Sequence, residues 1–371
     1  MIEQIIVADV FDGLAQLPNA SVNMCVTSPP YWSLRDYGTG SWLGGNDVNC
    51  DHRLPDSYLS HLKAAGDYFR NSHVASRNSI SCLKCGAIRI DMQIGLEESP
   101  EEYVKTLVAV FREVWRVLKD DGTLWLVIGD TYNGYRGNAY SDTNGSEYVG
   151  FKNQPTRDSG YGLECKDLKP KDLVGIPWLL AFALRADGWY LRQDIIWAKP
   201  CCMPEAVKDR CTKSHEYIFL LSKSAKYYYD YQAIMELATY DGRQDVTLKY
   251  SEKYGSGVRV RWQEDESGNK VRNKRSVWTI PPARFDESHF ATFPTELIRP
   301  CILAGSPIGG VVLDPFFGAG TTGVVAKEEQ RGFIGIELNP EYAKMANKRI
   351  SKAVVQYKLP LAVEDELREV G

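Results

Sequence analysis

The chain has 371 residues, 44% apolar, 11% aromatic and 25% charged, which excludes disordered, collagen-like and small disulfide-stapled proteins. At roughly 100–200 residues per domain, the length allows two or three domains, or one large domain with insertions and an ample core. With 44 Lys and Arg against 48 Asp and Glu the formal charge is −4, so contact with nucleic acid needs local basic patches rather than a global field.

Residues 1–30 read as strand, helix, strand. Gln4–Val10 is a β-rich run, Leu14–Leu17 a short helical turn, and Val22–Thr27 a second apolar run. That run stops at Ser28-Pro29-Pro30-Tyr31, because proline cannot continue a central strand and a stiff loop must begin. Two consecutive prolines leave carbonyls without competing local donors. One such carbonyl and the Ser28 hydroxyl suit the two hydrogens of an exocyclic amine, with Tyr31 stacked on the attached ring. The first residues lack a basic leader, and no apolar stretch approaches the ~20 residues of a membrane span, so a cytoplasmic protein without membrane association is expected.

Residues 38–95 are polar, rich in Gly, Asn, His and Ser, and read as an insertion. They carry Cys50-Asp51-His52 and, 30 residues on, Cys82-Leu83-Lys84-Cys85-Gly86. The spacing allows Cys50, His52, Cys82 and Cys85 to complete a tetrahedral zinc shell; the bland alternative is two exposed thiol pairs in a loop. So few large apolar residues are present that the metal would supply the folding energy. Nine cysteines, odd in number and irregularly spaced, fit free thiols plus a metal site better than a disulfide framework.

Regular structure resumes at Ser99-Pro100-Glu101-Glu102, a capping box with proline at the first helical position. Tyr103, Leu107, Val110, Phe111, Val114 and Leu118 follow at helical spacing. Asp120-Asp121-Gly122 is expected to turn the chain into a buried strand, Thr123–Ile128. Residues 130–165 read as a surface loop, Pro177–Ala186 as a helix, and Arg192–Trp197 with Glu216–Ser222 as paired strands. Between Arg243 and Arg275 nine Lys and Arg face five Asp and Glu, a local surplus of four positive charges. The final third is a βαβ unit: strand Gly310–Leu313, helix Thr321–Glu329, strand Gly332–Glu337, then a helix capped by Asn339-Pro340 and running to Ile350. The fold class is therefore α/β, a doubly wound, mostly parallel sheet with helices on both faces.

The βαβ unit carries Asp314-Pro315-Phe316-Phe317-Gly318-Ala319-Gly320-Thr321-Thr322, a strand end and glycine loop that let backbone approach a ligand. Glu337 ends the next strand, where an acid can accept from ribose hydroxyls. No Lys-Ser/Thr follows the glycines, against a P-loop, and the opening glycine of the dinucleotide fingerprint is missing.

Together the two loops resemble those of the S-adenosylmethionine-dependent DNA amino-methyltransferases. The proline loop precedes the glycine loop, as in the circularly permuted β-group, and the likeness is greatest to versions carried by phages and mobile elements. The resemblance implies a Rossmann-like methyltransferase fold and a reaction on a flipped base in double-stranded DNA. Ser28, Pro29, Pro30 and Tyr31 would be catalytic. The cofactor would be held by Asp9, Thr292, Asp314, Phe316, Gly318, Gly320, Thr321, Thr322 and Glu337. Trp197 and Lys199 would line the base pocket, and Arg272, Lys274 and Arg275 would contact DNA. Asp9 as a helix cap and Trp197 as core are the bland alternatives.

The implied layout is a catalytic half at 1–37 and 96–234, a zinc-binding insertion at 38–95, a target-recognition region at 235–285 and a cofactor half at 286–371. The Ser-Pro-Pro-Tyr form favours cytosine N4, with adenine N6 as the alternative; a catalytically silent zinc-containing DNA-binding protein is the remote one. Any restriction endonuclease is expected as a separate chain, and the enzyme as a monomer or homodimer.

Overall fold

The computed structural model describes residues 1–32, 39–47, 49–52, 80–133, 165, 167–202, 204–205, 207–238, 263–264, 268–283 and 293–355. Five apolar runs pair side by side and parallel: β1 (Glu3–Val7), β2 (Val22–Thr27), β6 (Leu118–Ile128), β13 (Val311–Asp314) and β14 (Gly332–Glu337). Near-continuous apolar sequence suits strands covered on both faces. β8 (His215–Ser222) runs antiparallel to β6, β7 (Tyr190–Ala198) antiparallel to β8, and β12 (Val277–Thr279) parallel to β7. The sheet order is β1-β14-β13-β2-β6-β8-β7-β12.

Helices cover both faces. On one, α1 (Val10–Ala15), α2 (Pro100–Val117) and α3 (Ile176–Ala186) bury Leu14, Tyr103, Phe111 and Leu180. On the other, α4 (Thr295–Gly305), α5 (Thr321–Glu328) and α6 (Pro340–Ile350) bury Leu297, Ile302, Val325 and Ala346. Each fully buried large apolar side chain contributes about 1.5–3 kcal/mol. Both caps read from sequence are made: Ser99 accepts from Glu102 N at 3.2 Å, and Asn339 from Glu341 N at 2.9 Å.

Two small antiparallel sheets stand outside this frame. One comprises β3 (Ser41–Leu43), β4 (Ile80–Ser81) and β5 (Ile88–Ile90); the other β9 (Glu236–Leu237), β10 (Gln263–Glu264) and β11 (Lys270–Arg272).

Several elements differ from expectation. The first strand ends at Val7 rather than Val10, because Asp9 accepts from Phe11 N at 2.9 Å and caps α1. Asp120-Asp121-Gly122 is no turn between elements but a bulge within β6. Val22 pairs with Leu118 and Met24 with Thr123, so residues 119–122 loop outward. In the central frame α4 and the three-residue β12 carried no legible sequence signal, and neither did the six short strands of the outlying sheets. Nearly all of the 130–165 loop lies outside the described residues.

β13 leads through α5 to β14 on one side, whereas β2 leads to β6 on the other. Neighbouring strands whose connections diverge open a crevice at their carboxyl ends, where α/β sheets bind ligands.

Candidate active site

β13 ends at Asp314, only 1% exposed. Its Oδ1 accepts from Thr27 Oγ1 at 2.6 Å and Phe316 N at 3.1 Å, and its Oδ2 from Thr322 Oγ1 at 2.6 Å. Burial pushes the carboxyl up to about 6, against the pull of these three donors. Asp314 thus braces the loop from beneath, while Pro315–Ala319 and Thr321 face the cleft. Thr322 likewise spends its hydroxyl on Asp314.

Glu337, at the end of β14, holds the loop from the other side. Its Oε2 accepts from Gly318 N at 2.7 Å and its Oε1 from Asn339 N at 2.8 Å. Burial raises its carboxyl, opposed by those N–H groups. Gly318 and Gly320 adopt φ 52° and 76°, a region costly to other residues. A Cβ at Gly320 would lie 2.6 Å from Ala346 Cβ, whereas at Gly318 it would meet nothing within 4 Å among the described residues.

The cleft has a volume of about 420 Å³. Besides the glycine loop it is lined by Asp9, Ser28, Pro29, Pro30, Tyr31, Trp197, Lys199 and Glu337. Both expected loops therefore meet in one place, although Thr27 and Asp314 are 287 residues apart. Asp9 lines the cleft and caps α1; Trp197 is 4% exposed and lines it too, donating from Nε1 to Ile280 O at 2.8 Å. Thr292 lies outside the described residues; Phe293 beside it lines the cleft.

The proline loop meets a donor from far along the chain. The Pro30 carbonyl has a donor, the Tyr103 hydroxyl of α2 at 2.9 Å, because the loop packs directly on that helix.

Sequence reasoning missed Glu216, at the start of β8. It also lines the cleft and accepts from the Tyr31 phenol at 2.7 Å, with Lys199 ion-paired to its other oxygen. Lys199 lies 4.3 Å over the Trp197 ring. Burial, then the Glu216 charge, push the Tyr31 phenol well above the ordinary tyrosine range, while Ser28 pulls the other way. The only local hint of Glu216 was a charge opening an apolar strand.

The 38–95 segment leads back to this cleft. Thr39, Met92, Gln93 and Ile94 line it, and Glu97 accepts from Gly95 N at 2.8 Å and from Trp32 Nε1, through its backbone oxygen, at 2.9 Å. The ligand atoms of Cys50, His52, Cys82 and Cys85 all lie within 4.8 Å of one another. Cys50 Sγ to Cys82 Sγ is 3.7 Å, and Cys85 Sγ to His52 Nδ1 is 3.4 Å. A tetrahedron with ~2.3 Å zinc–sulfur and ~2.0 Å zinc–nitrogen bonds has edges of roughly 3.8 and 3.5 Å, whereas a disulfide needs ~2.05 Å. The His52 ring stacks on Trp42 at 4.8 Å.

The expected DNA-contacting residues are partly engaged within the chain. Arg272 and Arg275 both reach Glu236 Oε1, at 2.9 and 2.5 Å, and Lys274 Nζ lies 5.0 Å from the Trp278 ring centre. Burial alone would raise the Glu236 carboxyl; the two arginines outweigh it and hold it below the usual range.

Residues 22–348 match the N6/N4 methyltransferase family, described as DNA methylase. The Type II methyltransferase M.Cfr9I of Citrobacter freundii is 43% identical, covering 92% of this chain and 85% of its own. M.SmaI of Serratia marcescens, also a Type II methyltransferase, is 42% identical over 94% of this chain and 90% of its own. PvuII DNA methyltransferase (cytosine-N4-specific) shares the fold at a TM-score of 0.53 and 15% identity, covering 94% of this chain and 86% of that one. So does a Thermus thermophilus protein solved with S-adenosyl-L-methionine, at 0.50 and 22%, covering 96% of each. With the family match spanning 22–348 and relatives above 40% identity across the chain, this protein belongs to the N6/N4 DNA methylases.

Proposed function

We propose that the protein methylates the exocyclic amine of a flipped base in double-stranded DNA, with S-adenosyl-L-methionine as methyl donor and cytosine N4 as target. The observation that carries this is the meeting of Ser28–Tyr31 with Pro315–Ala319 and Thr321 in one cleft at the diverging ends of β2 and β13. The residues suit the donor: Asp9 and Glu337 offer carboxylate acceptors, and the space beside Gly318 is one that any side chain would invade. When bound, the donor supplies an electrophilic sulfonium methyl.

The chain's part is to prepare the amine. Its lone pair is delocalised into the ring, and the base must first leave the stack at a cost of a few kcal/mol. The Ser28 hydroxyl accepts one amine hydrogen. Since Tyr103 occupies the Pro30 carbonyl, the carbonyl assigned to the second hydrogen is that of Pro29. Two acceptors draw the nitrogen toward tetrahedral geometry and aim its lone pair; Tyr31 holds the ring by stacking. Positioning supplies most of the acceleration, and no covalent intermediate is needed.

The Ser-Pro-Pro-Tyr form supports cytosine over adenine. The Type II relatives support a restriction endonuclease as a separate partner chain, and a DNA substrate supports a cytoplasmic location. Among the described residues no helix is long and apolar enough to cross a membrane. The Cys50, His52, Cys82 and Cys85 cluster supports a structural zinc ion, whose four ligands would leave no open position for catalysis.

Sequencing of DNA modified by the expressed enzyme tests base and site together: N4-methylcytosine is expected, and N6-methyladenine would overturn the cytosine assignment. Ser28→Ala should slow single-turnover methyl transfer roughly a hundredfold, the loss of ~2–4 kcal/mol of transition-state hydrogen bonding, with cofactor affinity unchanged. A wild-type rate would remove Ser28 from the mechanism.

A further inference from the structure

We infer that Glu216 is a positioning residue for the flipped base, fixing Tyr31 and Lys199 as one unit; this rests on the methyltransferase reading of the cleft. Tyr31 comes from the loop after β2, Lys199 from just beyond β7 and Glu216 from β8, with 185 residues between Tyr31 and Glu216. The Glu216 carboxylate divides between them, Oε2 on the Tyr31 phenol at 2.7 Å and Oε1 on the Lys199 ammonium. All three line the cleft together with Ser28.

A stacking platform needs only a ring, so the phenol calls for an explanation. An unanchored aromatic ring turns about a broad terminal torsion. The Tyr31 ring is held at two places: its phenol by Glu216, and its edge by Gly129, where a Cβ would come within 2.7 Å of Tyr31 Cε2. Phenol and ring edge together set the plane on which a base stacks.

Lys199 is fixed by the same carboxylate and by the Trp197 face 4.3 Å away. An ammonium has three N–H donors, of which the bond to Glu216 uses one. Cytosine and adenine both carry a ring-nitrogen acceptor next to the target amine, and cytosine a carbonyl beyond it. A cation fixed in the base pocket suits that acceptor edge. Glu216 neutralises the cation and keeps a lone ammonium from standing in a partly buried site.

The test uses full-length Glu216→Ala, Glu216→Gln, Tyr31→Phe and the Glu216→Ala/Tyr31→Phe double variant, on oligonucleotides bearing the site found by sequencing. Three quantities are read: cofactor affinity, brightening of 2-aminopurine at the target position, and single-turnover rate. Glu216→Ala should slow transfer about ten- to a hundredfold, the range expected when reacting groups shift by about an ångström. Glu216→Gln keeps an acceptor for the phenol, so brightening should return toward wild type while the rate stays reduced. The double variant should brighten no less than Glu216→Ala alone, since both changes cut one link. Cofactor affinity should hold throughout. Wild-type rate and brightening in Glu216→Ala, or fully additive losses in the double variant, would overturn the role. Wild-type enzyme that binds cofactor yet methylates no DNA amine would overturn the underlying reading instead.

Discussion

The glycine loop and the two small outlying sheets are built on opposite principles. The loop at Asp314–Thr322 satisfies itself: a buried carboxylate receives two hydroxyls and an N–H, Glu337 pins Gly318, and Phe317 stacks on Phe333 at 5.7 Å. Around it lie the two cores of the central sheet. Among the described residues the core of the β3–β5 sheet is Cys82, Cys85 and Ala87, with Trp42 and Cys50 against it. The β9–β11 sheet gathers arginines around one glutamate. The central loop is braced by bonds within the chain, whereas one outlying sheet gathers thiol and imidazole groups and the other sets two arginines on one glutamate. For the first we propose a cation as ligand, for the second an anion.

Metal removal should separate the regions most sharply. Protein purified without chelators should hold about one zinc per chain, and Cys82→Ser should lose it. Structural zinc supplies apparent folding energies of ~10–16 kcal/mol in small domains, far beyond what three buried residues provide. Cys82→Ser should therefore expose residues 80–97 to protease while the central sheet keeps its melting transition. Because Ile94 lines the cleft and Glu97 receives Trp32, methyl transfer should fall as well. Metal analysis showing no zinc would remove the metal site from the β3–β5 sheet.

In the central loop the corresponding lever is Asp314. Asp314→Ala strands Thr27, Thr322 and Phe316 N without their acceptor, for a destabilisation of about 2–4 kcal/mol by chemical denaturation. The sign of the pH effect follows from burial. The folded carboxyl sits at about 6, above the ~3.9 of an unfolded chain. The folded state therefore binds the proton more tightly, and this group's contribution is complete below pH ~3.9 and lost as pH rises toward 6. Asp314→Asn should flatten that part of the stability profile; an unchanged slope would mean that another group titrates there.

The two loop glycines sharpen the contrast between holding the loop and holding its ligand. Gly320→Ala drives a methyl into Ala346 and should lower the melting temperature with cofactor affinity following. Gly318→Ala meets no atom of the described residues within 4 Å, so beyond ~1–2 kcal/mol of left-handed strain its loss should appear in cofactor affinity by calorimetry. Equal effects on stability and affinity in both variants would erase the distinction.

How much of this was legible in sequence followed the same divide. Val22–Thr27 and Gly332–Glu337 have the bounds read from their apolar runs, and both the Ser99 and Asn339 caps were recognised because capping is chemistry within four residues. The two cleft loops were legible because each is a contiguous motif. Their internal bonds were not: that Asp314 turns away from the cleft toward Thr27, or that Tyr103 takes the Pro30 carbonyl, depends on packing between segments far apart in the chain. Glu216 is the extreme case, its meaning residing wholly in residues of other elements. The bulge at 119–122 looked like a turn because Asp-Asp-Gly chemistry is the same for both; register with β2 makes it a bulge.

The smallest expected effect concerns the second outlying sheet, and its sign is the informative part. Neutralising Arg272, Lys274 and Arg275 should weaken DNA binding and flatten its salt dependence, since each phosphate contact contributes a slope of roughly 0.9. Yet Glu236 already binds both arginines, and its carboxyl is held in the charged form. Any phosphate must share or displace that acid, so the triple change should flatten the slope by less than three full contacts. Glu236→Gln removes the competing charge and should act in the opposite direction, raising DNA affinity a few-fold and steepening the slope by up to about one per freed arginine. Arg272 Nη2 is buried without a hydrogen-bond partner among the described residues. Measured in salt titrations with cofactor affinity as control, a weaker complex in Glu236→Gln would mean that the acid arranges the arginines for DNA rather than competing with it. No change in either variant would make the β9–β11 sheet a solvated surface that takes no phosphate.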